Sequence, residues 1–312
     1  MQISIWPSSE RPWGEVRDDV VRADSLGWDG VWLADHFMPN APVDDSAGRR
    51  GPYLEAWSCL GALAALTSNV RLGSLVSSVT YRHPAVLAAI ACTVDEISTR
   101  PHGSGRVVLG IGAGWQENEH EAYGLTLGSL RERSDRLAEA ATVLRSLLSD
   151  ERTTFAGRFF QLDDAPNEPR PTGRPIPLLI AGKGELRTIP TAARLGDEWN
   201  AWASPETFAH KYRVLCDAAE AAGRDIRSMR CSTQAFVVFG DRPGVVESIT
   251  SMGRPVVSGS DAQILDVLAT YRSAGVDEFI VPDWLWDDAT ERAEHYHHFY
   301  EVTRPLHVEG GP

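Results

Sequence analysis

Residues 74–84 read SLVSSVTYRHP, and residues 106–123 read RVVLGIGAGWQENEHEAY. Each segment opens as a buried β-strand, breaks into a polar or glycine-rich loop, and continues into a helix-like run. Ligands bind to α/β proteins at loops that begin where parallel strands end. Two such loops are therefore expected to line one pocket.

Short β-like runs alternate with amphipathic runs along the chain. We predict strands at residues 2–6, 30–34, 71–76, 106–110, 178–181, 198–202, 230–239 and 278–281. Helices are predicted at residues 14–26, 54–67, 83–98, 129–149, 185–195 and 205–222, and a hairpin at residues 153–162. Eight strand–helix units is the number that closes a parallel barrel.

The alternative architecture is an open doubly wound sheet, but its G-x-G-x-x-G fingerprint is missing near the N-terminus. We therefore expect the α/β class, a (β/α)8 TIM barrel with inserted loops. The barrel is expected to form one domain over residues 1–312, since such barrels often exceed 250 residues.

The charge of the chain limits its partners. A formal net charge of −13 argues against binding to nucleic acid or to an anionic membrane. An anionic cofactor would need local amide donors and a few placed cations. The four cysteines lie in apolar contexts, which indicates unpaired thiols in a reducing compartment. With no signal-peptide pattern at the N-terminus, we expect a cytoplasmic protein.

The pair Asp35-His36 follows the second predicted strand. A histidine beside a carboxylate at a strand end can act as an acid or a base near neutral pH. A purely structural histidine that bonds the loop backbone is an equally open interpretation from position alone.

Several hydrogen-bond donors follow the third predicted strand, among them Thr80, Tyr81 and Arg82. They would lie at the mouth of a barrel. Pro84 also suits the first turn of a helix, so the segment can serve as a helix start at the same time.

The loop Gly110-Ile111-Gly112-Ala113-Gly114-Trp115 follows the fourth predicted strand. Its glycines would let a planar or phosphorylated ligand approach the backbone, although a tight structural turn is the alternative. Trp115 offers a flat wall to a ring system. The acidic residues Glu117, Glu119 and Glu121 that follow are expected to form a solvated helix start, and no metal site is predicted.

The loop Ala181-Gly182-Lys183-Gly184-Glu185 lies between the fifth predicted strand and its helix. Backbone N–H groups at a helix N-terminus form an anion pocket, and Lys183 and Arg187 add positive charge. The alternative is an ordinary glycine turn with surface cations. We favour a phosphate site.

Taken together, four segments resemble the luciferase-like monooxygenase superfamily, and most closely its branch of deazaflavin (coenzyme F420)-dependent oxidoreductases. The segments are LGWDGVWLADHF (26–37), VRLGSLVSSVTYRHPAVLA (70–88), LGIGAGWQENEHEAYG (109–124) and PLLIAGKGELRTIPTAARLGDEWNAW (177–202). They occur in the order that is typical of this family.

The resemblance implies a barrel, usually dimeric, that holds a flavin-like ring in its mouth. Asp35 and His36 fall where the family places an acid/base pair, and residues 75–76 where it often has a non-proline cis peptide. The loops and the resemblance together predict these cofactor-binding residues: Leu75, Val76, Tyr81, Gly112, Ala113, Gly114, Trp115, Tyr123, Ala181, Gly182, Lys183, Gly184 and Glu185.

Two residues depart from the family pattern. Lys183 stands where a small residue is common, and Trp115 stands where some deazaflavin enzymes carry a catalytic glutamate. The second departure leaves His36 as the predicted acid/base residue.

The predicted function is hydride transfer to or from a small organic substrate, with coenzyme F420 as the cofactor. The alternatives are an FMN-dependent monooxygenase that activates oxygen and a non-catalytic flavin-binding protein. Residues 38–53 and 240–260 are expected to shape the substrate pocket.

Overall fold

The computed structural model of the chain describes residues 1–40, 52–99 and 103–307. Thirteen strands occur in these ranges: β1 (Gln2–Trp6), β2 (Gly30–Leu33), β3 (Arg71–Ser74), β4 (Ser77–Ser78), β5 (Val107–Gly112), β6 (Arg152–Ala156), β7 (Gln161–Pro166), β8 (Leu178–Ala181), β9 (Glu198–Asn200), β10 (Arg230–Gln234), β11 (Phe236–Phe239), β12 (Val256–Gly259) and β13 (Glu278–Pro282).

The same ranges contain ten α-helices: α1 (Trp13–Leu26), α2 (Ala56–Leu66), α3 (Pro84–Ile97), α4 (Glu117–Tyr123), α5 (Leu130–Ser149), α6 (Thr188–Leu195), α7 (Pro205–Ala221), α8 (Pro243–Ser251), α9 (Asp261–Ser273) and α10 (Ala289–Thr303). None of these helices is long and apolar enough to cross a membrane.

Eight strands form a closed parallel barrel in the order β1-β2-β3-β5-β8-β9-β10-β13, and β13 pairs again with β1. The predicted (β/α)8 TIM barrel is confirmed, and the open doubly wound sheet is wrong. One of the eight pairings that close the ring is that of β3 with β5. Closure places the carboxyl ends of all eight strands around one mouth.

Two small sheets lie outside the barrel. The predicted hairpin is confirmed as the antiparallel pair of β6 and β7. The second sheet is the parallel pair of β11 and β12. The prediction of one continuous strand over residues 230–239 is wrong, because the chain leaves the barrel at Ala235. Its second half, β11, pairs with β12 instead of with a barrel strand.

The bounds of two further strands differ from the prediction. The strand expected at residues 71–76 ends at Ser74, where a cis peptide bond joins Leu75 to Val76 before β4. Strand β5 continues to Gly112. Gly110 and Gly112, which were assigned to a ligand-binding loop, are therefore strand residues.

These two glycines let β3 and β4 approach β5. A Cβ atom at position 110 would overlap with the carbonyl oxygen of Ser74, and one at position 112 would lie 2.7 Å from the Cγ2 of Val76. The Ser74 hydroxyl also donates a hydrogen bond of 2.9 Å to the carbonyl of Gly110. Glycine is required here by packing between strands.

The outer helices cover the barrel with their apolar faces. In α1 the apolar residues Val16, Val20 and Ala23 are buried. In α3 the buried face consists mainly of small residues, whereas Val86 is 53% exposed and Ile97 is 48% exposed. Val86, Ile90, Val94 and Ile97 recur at helical spacing in the sequence, and this apolar stripe therefore lies partly on the outer side of α3. The four cysteines are free thiols, as predicted.

Replacing Gly110 by alanine should destabilise the protein. The new Cβ would meet backbone, which cannot rotate away, and overpacking of this kind costs about 1–3 kcal/mol. The free energy of unfolding, measured by urea denaturation, is expected to fall by at least that amount.

The matched control is Gly14→Ala in α1, where a Cβ meets nothing within 4 Å. This change should be neutral or stabilising by up to about 1 kcal/mol, because alanine is the better helix former. Equal effects of the two substitutions would contradict the role given to Gly110.

Candidate active site

A cavity of about 870 Å³ opens at the carboxyl ends of the barrel strands. This volume is within the range of small-molecule and cofactor sites. Its lining includes Trp6, Ala34, His36, Tyr53, Leu75, Val76, Ser78, Tyr81, Gly114, Trp115, Trp202, Arg254 and Trp284. The cavity therefore lies where the sequence predicts a ligand site.

The structure brings together some of the predicted site residues in this cavity. Those that line it are His36, Leu75, Val76, Tyr81, Gly114 and Trp115. The predicted residues that do not line it are Asp35, Gly112, Ala113, Tyr123, Ala181, Gly182, Lys183, Gly184 and Glu185. The peptide bond between Leu75 and Val76 is cis, as the family resemblance implies.

His36 is held by a buried carboxylate. Its Nδ1 lies 2.7 Å from Oε1 of Glu119, whose side chain has no exposed surface. The hydroxyl of Tyr81 donates to the same oxygen, and the backbone N–H of Phe37 donates to Oε2 at 2.9 Å. Three donors therefore converge on one carboxylate.

These hydrogen bonds keep Glu119 ionised. Burial by itself would raise the pKa of the carboxyl, but the hydrogen bonds from His36, Tyr81 and the Phe37 backbone outweigh it, so the pKa lies below its usual value. Burial and the neighbouring carboxylate raise the pKa of Tyr81 well above its usual range, so the phenol stays protonated and donates.

Glu119 is a site residue that the sequence analysis missed. The expectation of a solvated helix start is wrong for this residue. Glu117 and Glu121 are exposed, whereas Asn118, Glu119 and His120 of α4 are buried. One sequence signal could have identified Glu119. Helix α4 follows directly after a barrel strand that ends in glycine, so one face of the helix is directed towards the mouth of the barrel.

Within the described residues, Asp35 forms no hydrogen bond with the imidazole of His36. It is fully buried and forms two hydrogen bonds, of 2.6 and 3.1 Å, with the guanidinium of Arg82. Arg82 also binds Glu55 at 2.6 Å. Burial raises the pKa of Asp35, and Arg82 opposes that effect. The geometry suits a positioning role for Asp35.

Trp115 and Gly114 form one wall of the cavity. The Trp115 ring is 53% exposed, and its centroid lies 5.6 Å from that of His36 in an edge-on arrangement. Gly114 has a φ of +85°, which favours glycine. Tyr123 does not line the cavity, and its hydroxyl binds the backbone oxygen of Phe37 at 3.3 Å.

The predicted phosphate loop lies past the end of β8, at the same end of the barrel. Helix α6 begins at Thr188, three residues later than predicted. Glu185 pairs with Lys211 at 2.6 Å and with His210 at 2.9 Å, and Arg187 pairs with Asp135. Lys183 is exposed and has no ion-pair partner in the described part of the chain.

Three tryptophans form a second wall of the cavity, which we call the tryptophan wall: Trp6, Trp202 and Trp284. Their ring centroids are separated by 4.8 to 5.8 Å. The guanidinium of Arg254 stacks over the Trp202 ring at 4.0 Å from its centroid. None of these four residues was predicted as a site residue, because none lies in a recognisable motif.

The segments expected to shape the substrate pocket contribute at their ends. Asn40, Tyr53 and Arg254 line the cavity. Residues 41–51 of the first segment lie outside the described residues. Across the described ranges, no group of three side chains is arranged as a set of metal ligands.

A family profile described as luciferase-like monooxygenase matches residues 1–255. The match spans most of the barrel and includes every residue of the His36–Glu119 arrangement. The chain belongs to the luciferase-like monooxygenase family. The family predicted from the four sequence segments is confirmed.

Curated relatives of this luciferase-like protein include an F420-dependent glucose-6-phosphate dehydrogenase of Kineococcus radiotolerans. The two are 40% identical over 59% of this chain and 51% of the relative. An F420-dependent hydroxymycolic acid dehydrogenase of Mycobacterium tuberculosis is 33% identical over 70% of this chain and 57% of the relative. The matched region thus spans about half the length of these relatives.

Solved structures support the fold of the luciferase-like chain. An F420-dependent secondary alcohol dehydrogenase superposes with a TM-score of 0.83 at 22% identity, over 98% of this chain and 99% of that one. The F420-dependent tetrahydromethanopterin reductase of Methanopyrus kandleri gives a TM-score of 0.79 at 17% identity, over the same shares. At these identities the likeness shows the barrel fold.

Replacing Glu119 by glutamine should destabilise the protein. The glutamine side chain has one acceptor oxygen and one donor NH2 group. In either orientation the NH2 group would face a donor, either the Phe37 N–H or the His36 and Tyr81 side chains, and one hydrogen bond would be lost. A buried group left unsatisfied costs about 1–3 kcal/mol. Denaturant unfolding at pH 7 measures the loss, and the exposed Glu121→Gln on the same helix should change stability by less than about 0.5 kcal/mol.

The loss should depend on pH. Because the pKa of Glu119 is lower in the folded than in the unfolded protein, its contribution is complete above the unfolded-state value of about 4.3 and disappears as the pH falls through the folded-state pKa. The stability gap between the wild type and Glu119→Gln should narrow in acid. A gap that is constant from pH 7 to pH 3 would contradict the ionised, hydrogen-bonded carboxylate.

Proposed function

We propose that this protein is a coenzyme F420-dependent oxidoreductase that transfers a hydride to or from a small organic substrate, with His36 as the acid/base residue. The observation that carries the proposal is His36, held at the cavity wall by the buried carboxylate of Glu119. The F420-dependent dehydrogenases among the curated relatives support the choice of cofactor.

The cavity suits a flavin-like ring. Its volume is sufficient, and it offers flat aromatic walls together with close backbone at Gly114. The indole N–H groups of Trp6 and Trp202 are buried without a hydrogen-bond partner in the described structure. Such donors indicate that the cavity accepts a ligand that bears acceptors. Leu75, Val76, Gly114 and Trp115 would hold the ring.

When bound, coenzyme F420 supplies a site that accepts or donates a hydride. His36 would transfer the accompanying proton. Since Glu119 is ionised and can only accept, Nδ1 of His36 carries the proton that they share, and Nε2 is the basic nitrogen. Nε2 can then take the proton that a substrate hydroxyl loses as its carbon is oxidised, and return it in the reverse direction.

The loop at residues 182–187 would hold the phosphate of the cofactor. Its backbone precedes the N-terminus of α6, and Lys183 is a cation without an ion-pair partner among the described residues. Glu185, by contrast, is engaged with Lys211 and His210. We therefore assign the anion contact to the loop amides and Lys183.

Two alternatives have less support. An FMN-dependent monooxygenase would share the barrel, but both curated relatives described above are F420-dependent by name. A non-catalytic flavin-binding protein would not need a histidine fixed by an ionised, fully buried carboxylate. The homodimer and the cytoplasmic location stay predictions, and the exposed apolar residues Val86 and Ile97 of α3 offer surface for a dimer.

The cofactor proposal predicts that the purified protein binds coenzyme F420 more tightly than FMN. Fluorescence titration of both compounds measures the two dissociation constants. Lys183→Ala should weaken the binding of F420 by about 10- to 150-fold, as expected for the loss of one charge-assisted contact. The affinity for a dephosphorylated ring analogue should be nearly unchanged. Preference for FMN would contradict the proposal and favour the monooxygenase.

The acid/base role predicts that His36→Ala lowers turnover by about 10²- to 10⁴-fold, while the dissociation constant for F420 changes little. Steady-state kinetics with an accepted substrate measures the first quantity and titration the second. His297→Ala, an exposed histidine on α10, is the matched control and should leave both unchanged. Full turnover by His36→Ala would make His36 structural.

A further inference from the structure

Two of the three residues of the tryptophan wall, Trp202 and Trp284, lie across the barrel from residues 75–76, whereas Trp6 ends β1, two strands away from β3. In the circular strand order, β10 is four strands away from β3 in either direction, and β9 and β13 flank it. Residues 75–76 follow β3, whereas Trp202 follows β9 and Trp284 follows β13. A ring that rests on Leu75 and Val76 would therefore turn its other face towards Trp202 and Trp284.

Arg254 is the unusual residue of this second wall. It lines the cavity, is half-buried, and donates no hydrogen bond from its guanidinium to any described residue. Glu10 and Asp287 line the same cavity, but neither is within ion-pair distance of Arg254 in the described structure. Burial lowers the pKa of Arg254. A half-buried guanidinium without a carboxylate partner is costly unless a ligand provides the anion.

Stacking on Trp202 orients this guanidinium. Its central carbon lies over the indole, 4.0 Å from the ring centroid, and its N–H groups, which have no partner in the described structure, match a planar, two-oxygen acceptor. The indole nitrogens of Trp6 and Trp202 also lack hydrogen-bond partners in the described structure. Trp6 is only 6% exposed, so bulk water does not satisfy its N–H.

The charge on this wall indicates one carboxylate rather than a phosphate. The other arginine of the cavity, Arg11, is already bound to Asp283 through Nη1 at 2.6 Å and to the Asp283 carbonyl at 2.7 Å. One unpaired guanidinium matches one negative charge. The three indole rings next to it match an apolar or aromatic body.

We propose that the tryptophan wall and Arg254 form the substrate subsite, and that the substrate is an apolar or aromatic carboxylic acid whose carboxylate binds Arg254. This inference rests on the proposed function and adds the class of substrate. Arg254 is then the residue that determines specificity, whereas His36, across the cavity, handles the proton.

Isothermal titration calorimetry of the F420-saturated protein tests the proposal with three matched probes. These are phenylacetate, its neutral analogue phenylacetamide, and the dianion phenyl phosphate. Phenylacetate should bind about 10- to 100-fold more tightly than phenylacetamide, as a charge-assisted contact requires. Arg254→Met should remove this difference, and Arg242→Met, an exposed arginine that pairs with Glu291, should preserve it.

The dissociation constant for F420 is measured on each protein as well. It should be unchanged in Arg254→Met. If Arg254→Met weakens F420 instead of phenylacetate, the residue serves the cofactor and the proposal is wrong. Two results with the wild type would also overturn the proposal: tighter binding of phenyl phosphate than of phenylacetate, or equal binding of phenylacetate and phenylacetamide. Neither result depends on the folding of a variant. Failure of the wild type to bind F420 would contradict the proposed function separately.

Discussion

Closure of the barrel depends on how closely β3 can approach β5. Gly110 and Gly112 provide that space, because a side chain at either position would collide with Ser74 or Val76. The same contact directs Leu75 and Val76 into the mouth of the barrel, where they line the cavity. One packing constraint thus closes the fold and builds a wall of the site.

The sequence predicted the barrel well because buried parallel strands leave a strong apolar pattern. It also placed His36, Tyr81, Gly114 and Trp115 at the mouth. Where it failed, long-range packing decided the outcome. Ala235 reads as the interior of a strand, yet the chain leaves the barrel there because a second strand, β12, offers pairing outside it.

Charged residues were the hardest to interpret from sequence. Glu119 lies among exposed glutamates in an acidic stretch, and only the fold shows that it is buried against His36. Arg254 lies in a segment without a motif, and only its contact with the Trp202 ring in the folded protein indicates a role in the cavity. For both residues the contacts come from positions at least 38 residues away along the chain, which local patterns cannot encode.

The two sides of the cavity therefore differ in their chemistry. The side after β3 and β5 offers a flat backbone surface together with the His36–Glu119 pair. The opposite side offers indole rings and an unpaired guanidinium. In the proposed function, a planar cofactor on the first side would leave room for a substrate on the second, with His36 as the proposed acid/base residue.

A crystal structure of the F420 complex tests this arrangement most directly. The account predicts that one face of the deazaflavin ring lies on Leu75 and Val76, that its phosphate reaches the loop at residues 182–187, and that the tryptophan wall stays free for substrate. A ring stacked on Trp202 or Trp284, with its phosphate on Arg254, would contradict it.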